Sequence, residues 1–106
     1  MRYTKQMFNN EFSKEEISHM TPNSIKAFIE LKKLGCPIGI WYQNNPRYQD
    51  YRGFFWLKAE EEEAEEWLDY YHSEMYWGSD KLQKTLQKHG LYFEWQNSAV
   101  GCVYEV

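Results

Sequence analysis

Between Ala59 and Asp80 the chain carries nine carboxylates and neither lysine nor arginine: Glu60, Glu61, Glu62, Glu63, Glu65, Glu66, Asp69, Glu74 and Asp80. Against a whole-chain net charge of −4, this segment holds −9, so the remainder is +5. Such a row of acids has two uses. It can solvate a helix face, since glutamate favours helices and acids in a first turn complement the macrodipole by about 0.3–1 kcal/mol each. It can also offer arginine and lysine of another molecule a dense field of acceptors, in the manner of a row of phosphates. Glu62, Glu66 and Asp69 recur at four- and three-residue spacing with no cation inside the run, so their repulsion costs stability unless something basic answers it. Glu62, Glu63, Glu66 and Asp69, with the adjacent Tyr70, are therefore the candidate partner-binding residues. The matching partner is a protein with a basic surface, such as the nucleic-acid site of another protein, or the basic half of a second copy in a head-to-tail homo-oligomer.

A second constellation has the opposite character. Trp41, Tyr42, Arg47, Tyr48, Tyr51 and Arg52 interleave rings with guanidinium groups, the combination that stacks on unpaired bases and also populates protein hot spots. No RNP-type motif, GXXG clamp or cold-shock pattern accompanies it, and core and rim packing explains the same rings. Tyr42, Arg47, Tyr48, Tyr51 and Arg52 are the alternative ligand-binding set, for a single strand or a nucleotide.

Metal and catalytic chemistry find little to work with. Asp69 and His72 have the i,i+3 spacing of a carboxylate–histidine arm, but no second arm completes a di-metal site. His72-Ser73-Glu74 has H-x-E spacing without the P-C-x-x-C that a zinc deaminase needs. His19 and His89 fall at expected helix ends, where an imidazole meets terminal carbonyls. Cys36 and Cys102 form no CxxC pair and read as free, buried thiols. No GxSxG, Walker A, GxGxxG or HExxH is present. The expectation is no catalytic residues, no metal, no cofactor and no enzyme.

The elements that must position these residues are legible from caps and periodicity. Ser13 and Glu16 have capping-box spacing, which predicts a short helix to about Met20. Thr21-Pro22 starts another, with Ile25, Phe28, Ile29 and Leu31 on its apolar side and Gly35 after it. Ile38 to Gln43 reads as a strand, the polar stretch through Arg52 as a hairpin tip, and Phe54 to Leu57 as the returning strand. From Ala59 the apolar period becomes 3.6, with Ala64, Trp67, Leu68, Tyr71 and Met75 on one stripe, which predicts a long amphipathic helix over 59–77 stopped by Gly78. Ser79 caps a shorter helix carrying Leu82 and Leu86 and closed by Gly90. Leu91 to Trp95 and Val100 to Val106, joined by 96–99, give a second hairpin.

This order predicts a single α+β domain over residues 1–106, about four antiparallel strands in two hairpins with three to four helices packed on the sheet. A 42% hydrophobic fraction supplies a core, which excludes disorder as the main state. No run approaches the roughly 20 apolar residues of a membrane span and no apolar leader opens the chain, so no membrane and a cytoplasmic location are expected. The functional expectation is a small acidic protein-binding module, an inhibitor or adaptor of the kind phages encode, engaging a basic surface through its Glu-rich helix. A nucleic-acid or nucleotide module using the aromatic–arginine tip is the alternative, and a structural homo-oligomer the third.

Overall fold

Four helices begin in the same way, with a threonine or serine oxygen accepting the N–H of the third residue onward: Thr4 from Met7, Ser13 from Glu16, Thr21 from Ser24 and Ser79 from Leu82. Each bond satisfies one of the amides that a helix start leaves without an intrahelical partner. The resulting helices are α1 (Lys5–Glu11), α2 (Lys14–Ser18), α3 (Pro22–Lys33) and α4 (Asp80–Lys88). The capping box at Ser13 is complete, since the Glu16 carboxylate returns to accept the Ser13 N–H. The computed structural model describes residues 3–39, 54–59, 64–71, 73 and 76–106.

One antiparallel sheet carries β1 (Ile38–Gly39), β2 (Phe55–Lys58), β3 (Leu91–Trp95) and β4 (Val100–Glu105) in the order β1-β2-β4-β3. Both expected strand pairs form, and β4 then inserts between β2 and β3 so that the two hairpins share one sheet. Phe55 lies opposite Val103, and Val103 opposite Phe93, which puts these three on one face. That face meets Phe8, Phe28, Leu31, Leu82 and Leu86 from the helices in one hydrophobic core. Phe28 joins the layers, its ring 5.4 Å from Phe8 and 5.4 Å from Phe55. Each such buried side chain contributes about 1.5–3 kcal/mol of transfer free energy. On the other face the Trp56 indole lies over Gly39, where a Cβ would fall 2.2 Å from the ring, so β1 can approach β2 only with glycine there.

The sequence reading needs three corrections. The helix expected over 59–77 is absent from the described part of that range: residues 64–67 form one tight turn, and 68–71 and 76–79 continue as turns and irregular chain. The Trp67 carbonyl accepts from Ser79 N at 2.7 Å, and the Asp69 carboxylate accepts from Tyr71 N at 3.0 Å, so local and tertiary bonds replace the helical ladder. Repulsion within an all-acidic run favours that outcome. Tyr71, placed on the buried stripe by its spacing, is instead 79% exposed. Finally, α1 was not anticipated, although Thr4 provides its cap and Phe8 its core contact. The strand read over 38–43 is seen at Ile38–Gly39; the remainder of it, and the tip that follows, lie outside the described residues.

Candidate partner-binding surface

The acidic segment is pinned to the body of the protein by Ala64, Trp67 and Leu68, all fully buried. Ala64 accepts from Trp67 N at 2.8 Å and from Leu68 N at 3.1 Å, so one short turn delivers both large side chains to the core and leaves Glu65 and Glu66 outside. Lys81, from the first turn of α4, places its ammonium 4.3 Å from the Trp67 ring centroid and 3.8 Å from the Glu66 carboxylate. The Trp67 Nε1–H is buried without an acceptor. An orphaned donor of this kind costs about 1–3 kcal/mol, which the packing of the ring must offset.

Of the residues singled out in sequence, Glu66, Asp69 and Tyr70 lie in this segment, whereas Glu62 and Glu63 are outside the described residues. Glu66 is exposed and partly answered by Lys81, and Asp69 spends one oxygen on Tyr71 N. Tyr70 packs edge-on against Trp95 at 5.2 Å and also meets Tyr71 and Tyr76. Trp95 in turn donates its Nε1–H to the Tyr76 carbonyl at 2.7 Å, tying the loop before α4 to β3. The result is an aromatic surface next to the acids, with Tyr71 79% and Trp77 63% exposed. Spacing alone missed Tyr71, Trp77 and Trp95; the doublets Tyr70-Tyr71 and Tyr76-Trp77 were the available signal, because adjacent rings in a turn cannot all be buried. The alternative set, Tyr42, Arg47, Tyr48, Tyr51 and Arg52, lies wholly outside the described residues, as does His72.

On another side of the molecule the charges are answered within the fold. Glu30 of α3 accepts from Lys88 Nζ at 2.6 Å and pairs with His89 Nε2 at 2.8 Å. The Lys88 ammonium holds the Glu30 carboxyl below its usual range against the opposing effect of burial, and His89 assists. Lys26 and Lys33 flank the pair along a shallow groove of about 280 Å³. His19 and His89 are the C-cap residues of α2 and α4 through their backbone N–H groups, and the His89 ring pairs with Glu30 where a terminal carbonyl was expected. Neither cysteine is in a disulfide, both are buried, and burial pushes the Cys36 thiol well up, which disfavours its thiolate. Among the described residues no group of three or more His, Cys, Asp or Glu is placed to hold a metal ion. Neither a family model, nor a curated protein, nor a solved structure matches this chain. The reading therefore rests on the surface itself: carboxylates and exposed rings on a rigidly anchored turn, with no helix among the described residues long and apolar enough to cross a membrane.

Proposed function

We propose that this protein is a small protein-binding module, an inhibitor or adaptor without catalysis of its own, that engages a basic surface of a partner protein through the acidic segment and the aromatic side chains beside it. One observation carries the reading: Glu66, Asp69 and the exposed Tyr70, Tyr71 and Trp77 belong to a segment fixed at Trp67 and Leu68. Aromatic anchors presented on a rigid base bind with little entropy to lose, and carboxylates around them choose arginine- and lysine-rich partners and speed encounter. The corrected backbone changes the geometry of the proposal. Among the described residues Glu65, Glu66 and Asp69 lie on turns and irregular chain and not in a straight helical row, so the matching basic patch need not be a linear groove.

The test is affinity capture from a cell lysate, with and without nuclease treatment, at low and raised salt. Recovery of one basic protein that is released by salt supports the module. Recovery only of nuclease-sensitive material turns the assignment to the aromatic–arginine segment at 41–52. A second copy is the competing partner, because Lys26 and Lys33 lie along a groove to which the acidic segment of another molecule could dock; a mass that rises with concentration would support that assembly.

A further inference from the structure

The sheet has one edge that nothing in the described structure blocks. Val106 N donates to the Gly90 carbonyl and Gln96 N to the Val100 carbonyl, both at 2.9 Å, so the even-numbered residues of β3 exchange bonds with β4. The N–H and C=O groups of Leu91, Phe93 and Trp95 therefore point outward, and among the described residues no donor or acceptor meets them. Natural edges are blunted by proline, lysine, bulges or brevity. The opposite edge, β1, described at Ile38–Gly39, follows Pro37. β3 has five residues, no proline and no lysine, and its only charge is Glu94.

Beside this edge lies a cavity of about 200 Å³ between α4 and β3, lined by Trp77, Leu86, Phe93 and Tyr92 among others. Leu91 and Phe93 are 1% and 7% exposed, so the accessible residues of the strand are Tyr92, Glu94 and the half-buried Trp95. Glu94 and, at the end of β4, Glu105 are exposed, and neither has an ion-pair partner among the described residues. We infer that the outer edge of β3 takes up an extended, basic segment of the partner as a fifth strand, its apolar side chains entering the cavity under Trp77 and the alternate lysines or arginines lying beside Glu94. Alternation follows from the pleat: residues beside Phe93 share its face, and those beside Tyr92 and Glu94 share the other. Glu94, without an ion-pair partner among the described residues, selects a cationic strand. A second copy, by contrast, would set two chains of net charge −4 edge to edge.

This inference rests on the basic-partner reading above, and the experiment separates the two. Amide hydrogen exchange is followed by NMR on the full chain, alone and with the peptide acetyl-Lys-Val-Lys-Val-Lys-Val-Lys-amide, with acetyl-Ser-Val-Ser-Val-Ser-Val-Ser-amide as the neutral control. In the free protein Tyr92 and Glu94 should exchange slowly and Phe93 and Trp95 fast. The lysine peptide should slow Phe93 and Trp95 at least tenfold, the neutral one markedly less, and Glu94→Gln should weaken the effect severalfold. Shifts confined to residues 65–71, with no added protection at Phe93 and Trp95, would overturn edge docking while leaving a basic partner in place. Equal protection by both peptides would overturn the cationic preference. Protection that appears on concentrating the protein alone would assign the edge to a second copy.

Discussion

Two regions of this molecule treat charge in opposite ways. At the groove between α3 and α4, Glu30 is held by Lys88 and His89 at hydrogen-bond distance. In the segment that precedes α4, Glu66 reaches a single lysine at 3.8 Å, and Asp69 is used to fix the turn. Charges answered inside the fold serve stability and leave little for a partner. Charges left facing water, on a segment whose anchors are fully buried, are available for recognition at small cost to the fold.

The largest expected effect separates anchor from surface. Trp67→Ala removes the ring that pins the segment and should cost about 3–5 kcal/mol in urea unfolding, with Trp67→Phe costing less because it also deletes the orphaned indole N–H. Gly78→Ala comes next. Gly78 sits at φ 90° and an added Cβ would meet Leu82 at 2.8 Å, so a loss of about 2 kcal/mol should appear as a lowered denaturation midpoint. Ser79→Ala deletes the cap of α4 and should cost about 1 kcal/mol, measured in the same way.

Glu30→Gln probes the answered charges and should cost about 0.5–1 kcal/mol at pH 7 and low salt. Because the carboxyl is held below the usual range of a glutamate, its contribution is fully present above that range and fades as pH falls through the folded-state value. Wild-type and Glu30→Gln stabilities should therefore converge as pH is lowered. The loosely held charges of the acidic segment should behave otherwise. Glu66→Gln with Asp69→Asn should change stability by less than about 0.5 kcal/mol while weakening partner association and flattening its salt dependence. A large stability loss in this double variant would erase the distinction between the two regions.

How much of this was legible in the sequence follows from the kind of interaction involved. Caps are local, and Ser13, Thr21 and Ser79 marked three helices from a few residues each. The two strand pairs followed from alternation at 91–95 and the apolar run at 54–57. The insertion of β4 between β2 and β3 was not legible, because strand order is decided by long-range pairing. The acidic segment misled for the same reason: its apolar spacing fits 3.6, but the bond from Ser79 N to the Trp67 carbonyl and the burial of Trp67 beside Leu68 are tertiary facts. Of the candidate site, Glu66, Asp69 and Tyr70 were found by charge and position, whereas the place of Trp95 beside them follows only from the packing of Tyr70 and Tyr76 against β3.

The most direct test of the account is the affinity of the captured partner for the wild-type protein and for a Glu62→Gln, Glu66→Gln, Asp69→Asn variant across a range of salt concentrations. The account predicts a folded variant that binds at least tenfold more weakly, with a shallower fall in affinity as salt rises. Equal affinity and equal salt dependence in the two proteins would contradict it.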